Sequence, residues 1–156
     1  MSEGHAEGSD AIDPRFQALV DNVDIFHGLR AKDVEKIFSR GMTMYVEKDD
    51  TVFHKNTEGN KMYVVLGGSI GIFDGPVQMA TLRTGDTFGE MSLLTGMPRV
   101  ASAVALERCN LFTLDEPLFQ KLLTKRVAVQ MLLNIARMLG GRLKDANRTI
   151  RELEDR

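Results

Sequence analysis

Gly85–Ala101, GDTFGEMSLLTGMPRVA, is the stretch on which the reading of this chain turns. A turn pair, Gly85-Asp86, leads through Thr87-Phe88 into Gly89-Glu90. A short helical segment, Met91 to Thr95, follows, closed by Gly96 and then Pro98-Arg99. Gly89 lets the backbone approach a ligand closely, because it carries no Cβ. The amides of Glu90, Met91 and Ser92 open a helical turn and lack partners within it, which makes an anion site. Arg99 adds a planar cation whose fork matches two phosphate oxygens. Glu90 beside such an anion needs a hydrogen-bond donor to face, and a sugar hydroxyl would serve.

Outward from this stretch the sequence divides in three. Residues 1–12 are small, polar and acidic without periodicity, which predicts a mobile tail. Asp13-Pro14 is a helix start, with Phe16, Leu19, Val20 and Val23 on one face. Val34, Ile37 and Phe38 mark a second helix ending at Gly41, after a break at Phe26–Gly28 that leaves His27 as a polar loop residue. From Met42 the period becomes two. Met62, Val64 and Leu66 point one way and Tyr63 and Val65 the other. Gly67-Gly68 is expected to join this strand to Ser69–Phe73 as a hairpin, and Asp74-Gly75-Pro76 turns into Val77–Leu82. Val100–Leu106 and Cys109–Leu114 are the last strands. Short strands at regular intervals predict an antiparallel barrel or jelly roll.

FGEMSLLTGMPRVA closely resembles the phosphate-binding cassette of cyclic-nucleotide-binding domains, the module of catabolite activator proteins and protein kinase A regulatory subunits. KMYVVLGGSIGIF is similar to the family's central hairpin, and the resemblance covers roughly Asp24 to Leu123. It implies a mainly β fold with flanking helices: an antiparallel β-roll (double-stranded β-helix or jelly roll), N-terminal helices and a long C-terminal helix. It also implies that Glu90 holds a ribose 2′-hydroxyl, that Arg99 pairs with a cyclic phosphate, and that the amides of Gly89, Met91 and Ser92 complete the cradle. Many relatives carry a hydroxyl directly after the arginine; this chain has Val100. In cGMP-selective relatives that hydroxyl accepts from the guanine amino group, so Val100 implies cAMP as the ligand, with cGMP disfavoured.

Pro117 returns the chain to helix through Leu118, Leu122 and Leu123. Residues 13–126 are therefore read as the nucleotide-binding β-roll with its flanking helices, and 127–156 as a dimerisation helix. In that helix Val129, Leu132, Ala136, Leu139, Leu143, Ala146, Ile150 and Leu153 recur at three- and four-residue intervals, a heptad seam that suits a parallel homodimer. The alternative is that this face packs on the chain's own barrel. Gly140-Gly141 sits off the seam and costs about 1 kcal/mol per glycine relative to alanine in a helix; it is either a hinge or a helix break.

The chain has 156 residues, 43% hydrophobic and 27% charged, which fits one globular domain. A net charge of −2 offers no footprint for nucleic acid or for an anionic membrane surface. No apolar run is long enough to span a bilayer and no signal peptide opens the chain, so a cytoplasmic setting is expected. The one cysteine, Cys109, reads as a small buried hydrophobe. His5, His27 and His54 have no partner motifs, so neither a catalytic constellation nor a metal site is expected, and the chain is read as a non-enzyme. No DNA-reading element follows the last helix, so operator binding is not expected. Three functions stand: a stand-alone cyclic-nucleotide sensor acting through its C-terminal helix and an unknown partner, a degenerate dimerising scaffold, and a metal-dependent cupin-like enzyme. The presence of both Glu90 and Arg99 favours the first over the second.

Overall fold

The computed structural model describes residues 13–122 and 125–156; the tail reading for 1–12 and the helix position of Leu123 lie outside them. Helix α1 (Pro14–Asn22) starts where Asp13 accepts a hydrogen bond from the Arg15 amide at 2.9 Å. A 3₁₀ turn (Asp24–Phe26) leads to α2 (Ala31–Arg40), whose Asp33 carboxylate accepts from the Arg30 amide at 3.1 Å and so satisfies a donor at the helix start. Gly41 ends α2 with an ordinary negative φ; a Cβ there would drive into the Phe112 ring, so close packing explains this glycine.

Among the described residues eight strands follow: β1 (Met42–Val46), β2 (Thr51–Phe53), β3 (Lys61–Gly67), β4 (Ser69–Asp74), β5 (Val77–Arg83), β6 (Thr87–Phe88), β7 (Ser102–Ala105) and β8 (Cys109–Asp115). They form two antiparallel four-stranded sheets, ordered β1-β8-β3-β6 and β2-β7-β4-β5. This is the expected β-roll. The expected β3–β4 hairpin is not formed: β3 pairs with β8 and β6, whereas β4 pairs with β5 and β7. Gly67-Gly68 instead carries the chain across a corner from one sheet to the other. Gly68 has φ 88°, and a Cβ would meet the Arg108 carbonyl at 2.6 Å, so the corner admits glycine alone without strain.

The alternation read in β3 is what places it in the centre of the molecule. Met62, Val64 and Leu66 join the cluster under the helices, with Phe26, Val34, Ile37 and Phe112. Tyr63 and Val65 join the second cluster, between the sheets, with Ile70, Phe88 and Leu111. The first sheet thus has helices on one face and the second sheet on the other, which leaves β3 buried on both sides.

Helix α3 (Glu90–Thr95) is the short cassette helix, α4 (Glu116–Leu122) follows β8, and α5 (Arg126–Glu154) runs unbroken for 29 residues. The helix-break reading of Gly140-Gly141 is therefore wrong, and nothing lies within 4 Å of a Cβ at either glycine. Ala128, Met131 and Ile135 bury the first half of α5 against the core. Asn134 fastens it by donating to the carbonyls of Ile25 (2.9 Å) and His27 (2.8 Å). The seam divides. Leu132 and Leu139 pack partly on the chain's own core, whereas Leu143, Ala146, Ile150 and Leu153 are exposed. Every residue from Gly141 to Arg156 is exposed, so α5 projects beyond the roll.

Candidate functional site

The segment between β6 and β7 folds as a cradle because two glycines take left-handed conformations at its corners. Gly89 (φ 79°) caps the start of α3 and Gly96 (φ 69°) its end, leaving the opening amides of Glu90, Met91 and Ser92 without intrahelical acceptors. Beside them lies a cavity of about 430 Å³, whose walls include Phe53 of β2, Ile72 of β4, Met79 and Leu82 of β5, and Phe88 of β6. All six residues singled out in the sequence, Gly89, Glu90, Met91, Ser92, Arg99 and Val100, line it. The fold therefore brings them together, in the size range of small-ligand sites, about 300–1,000 Å³.

Arg99 is held more firmly than a flexible surface cation. It is 4% exposed, donates from Nη1 to the Gly89 carbonyl (2.8 Å) and from Nη2 to the Lys61 carbonyl (2.7 Å), and lies 4.1 Å from the Phe53 ring centroid. Its own amide donates to the Thr57 carbonyl at 2.8 Å. Among the described residues no carboxylate lies within 4.0 Å of its nitrogens, and Nε has no partner. Burial pulls the guanidinium below its ordinary pKa, with Tyr63 and Glu90 acting in the other direction. A buried cation without a counter-charge is costly to the fold and is stabilised by an anion that enters.

Glu90 is 3% exposed, and its partner was not foreseen. Arg142 of α5 donates from Nη1 to Glu90 Oε1 at 2.8 Å and from Nη2 to the Thr87 carbonyl at 2.6 Å. No local pattern in the sequence links positions 52 residues apart; the one hint was an arginine directly after the unexplained glycine pair. The second Glu90 oxygen accepts no hydrogen bond among the described residues, so the carboxylate still has capacity for a hydroxyl. Val100 is 67% exposed at the cavity rim, opposite the apolar interior. Among the described residues no group of histidine, cysteine, aspartate or glutamate side chains could hold a metal, and no helix is long and apolar enough to cross a membrane.

Known proteins show the same arrangement of chain. A cAMP-dependent protein kinase regulatory subunit from Hypocrea atroviridis is 30% identical over 125 residues, covering 80% of this chain and 26% of that protein. A cyclic AMP receptor protein from Thermus thermophilus is 30% identical over 128 residues, covering 79% of this chain and 58% of that one. The chain thus spans less than two thirds of either relative's length. The crystal structure of Thermus thermophilus catabolite activator protein superposes with a TM-score of 0.74 at 29% identity, over 84% of this chain and 63% of that chain. The family model described as the cyclic nucleotide-binding domain matches residues 43–126, more than half of the sequence, and reaches from β1 to the first residue of α5. With that match across both sheets and the whole cassette, this chain belongs to the cyclic nucleotide-binding domain family.

Proposed function

We propose that this protein is a cytoplasmic sensor that binds cAMP in the cavity beside α3 and reports its occupancy through α5. The observation that carries the reading is Arg99, a buried guanidinium without a carboxylate partner among the described residues. A cyclic phosphate supplies the missing negative charge, and the amides of Gly89, Met91 and Ser92 add donors at the cavity wall. The ribose 2′-hydroxyl donates to the open oxygen of Glu90, and the base lies toward Val100 and the apolar rim. The regulatory and receptor relatives named for cAMP support the choice of ligand.

The same carboxylate gives the signal a route. Glu90 is tied to α5 by Arg142, so a ligand that engages Glu90 changes the balance of contacts holding the projecting half of that helix. Residues 13–126 act as the receiver and 127–156 as the reporter. The exposed Leu143–Leu153 stripe supports pairing with a second copy. In this reading the chemistry is binding alone, and neither nucleic acid nor membrane is a partner. A buried arginine without a carboxylate partner among the described residues favours this reading over a non-binding scaffold.

Calorimetric titration with cAMP tests the proposal. Saturable binding that weakens in Arg99→Ala by at least the strength of a charge-assisted hydrogen bond, about 1.5–3 kcal/mol, is expected. Arg99→Lys should recover only part of it, because a point charge lacks the fork. Unchanged affinity in Arg99→Ala would place the ligand elsewhere.

A further inference from the structure

Gly59 lies in the loop between β2 and β3, and its φ is not in the left-handed region that would call for glycine. Space explains it. A Cβ built on Gly59 would fall within 2.5 Å of Nε, Cζ and Nη2 of Arg99, a separation that real side chains do not reach. These three atoms form the edge of the guanidinium that carries the unpaired Nε. Gly59 is not among the residues lining the ligand cavity; it borders a neighbouring cleft with Glu58, Asn60 and Glu116, and of the lining residues only Ser92 is common to both. The guanidinium therefore stands between Gly59 and the cavity, with the Phe53 ring and two carbonyls fixing its remaining directions.

The loop has little freedom to retreat from an added methyl. On one side of Gly59 the Asn56 amide donates to the Arg99 carbonyl (2.7 Å) and the Arg99 amide to the Thr57 carbonyl (2.8 Å). On the other, the Glu116 amide donates to the Asn60 carbonyl (2.8 Å). The side chain is the softer partner, so the guanidinium has to leave the Gly89 and Lys61 carbonyls.

We infer that Gly59 is a positioning residue for the anion site: its missing side chain is the backstop that sets Arg99 at the depth where a phosphate meets its fork. This rests on the proposed binding of a cyclic phosphate at Arg99. It assigns to the β2–β3 loop a share of the affinity although no atom of Gly59 faces the ligand.

Gly59→Ala tests it with two ligands and one spectrum. In wild type and variant, cAMP and the phosphate-free probe adenosine are titrated, and the Arg99 Nε–H resonance is followed by ¹H–¹⁵N NMR without ligand. The expected result is a loss of at least tenfold in cAMP affinity, no change for adenosine, and a displaced Arg99 Nε–H signal. An unmoved Arg99 signal, unchanged cAMP affinity, or an equal loss for both probes would overturn the positioning role. Absence of cAMP binding to the wild type, with the Arg99 signal still displaced in the variant, would instead overturn the sensor reading while leaving Gly59 as the determinant of where Arg99 sits.

Discussion

Replacing Arg142 with alanine removes the one ion pair that, among the described residues, ties the projecting half of α5 to the cassette. Two charge-assisted hydrogen bonds go with it, to Glu90 Oε1 at 2.8 Å and to the Thr87 carbonyl at 2.6 Å. The Glu90 side chain is only 4% exposed, so its carboxylate is left buried without a cation, whereas Arg142 itself is 41% exposed. Breaking a fully buried pair costs about 3–5 kcal/mol. Here one partner already faces water and the cavity can admit solvent to the other, so the loss should lie nearer the cost of one unsatisfied buried polar group, about 1–3 kcal/mol. Urea denaturation followed by circular dichroism measures it as a lowered midpoint at constant slope. The loss should also be local. Beyond Gly141 every residue of α5 is exposed, and Gly140-Gly141 weakens the helix at the point where it leaves the domain. Amides of 143–154 should therefore exchange faster in Arg142→Ala, while those of Ala128–Ile135 keep wild-type protection. Stability within 0.5 kcal/mol of wild type together with unchanged exchange at 143–154, roughly the effect of an ordinary surface substitution, would refute Arg142 as the tether.

Further outcomes follow from the same geometry. Leu143→Glu with Ile150→Glu places charge on side chains exposed by 63% and 52%; it should turn a dimer into a folded monomer by sedimentation, and a wild type monomeric at micromolar concentration would end the seam reading. Val100→Thr should narrow the preference for cAMP over cGMP in competition titrations. Because Val100 is 67% exposed, water can serve the guanine amino group, and the wild-type gap should sit at the low end of the 1–3 kcal/mol range, about fivefold; equal affinities in both proteins would remove Val100 from base choice. For Asp33, burial pushes the carboxyl pKa up, but the side-chain and backbone hydrogen bonds from Arg30, with the charges of Arg30 and Arg126, together hold the value below the ordinary one. A depressed folded value contributes stability above the unfolded pKa, about 3.9, that is lost as pH falls through the folded value. Asp33→Asn should thus cost about 1 kcal/mol at pH 7 and progressively less below pH ~4, and a cost independent of pH would contradict the pairing.

The alternation of Met62, Val64 and Leu66 against Tyr63 and Val65 was legible because β3 is buried on both faces by different partners, and each period-two set matches one cluster. The cassette was legible because its parts are local: two glycines, a short helix and an arginine within a dozen residues. What was not legible depends on contacts made across the chain. Gly67-Gly68 has the composition of a tight hairpin, but its corner is decided by the Arg108 carbonyl and Cys109 packed against it, some 40 positions on. Arg142 reads as one of several charges on an amphipathic helix until the roll brings Glu90 beneath it. The heptad seam shows the same ambiguity: the spacing is uniform, yet Leu132 and Leu139 face the chain's own core while Leu143 onward faces solvent. Nothing local marks Gly59 in the sequence, and its approach to the Arg99 guanidinium exists only in the folded chain.

The most direct test of the account is a crystal structure of the protein grown with cAMP. The account predicts the cyclic phosphate within salt-bridge distance of the Arg99 guanidinium and over the opening amides of α3, with the ribose 2′-hydroxyl on Glu90. A nucleotide bound away from the cassette, or a cavity that stays empty at millimolar cAMP while Arg99 keeps its bonds to the Gly89 and Lys61 carbonyls, would contradict it.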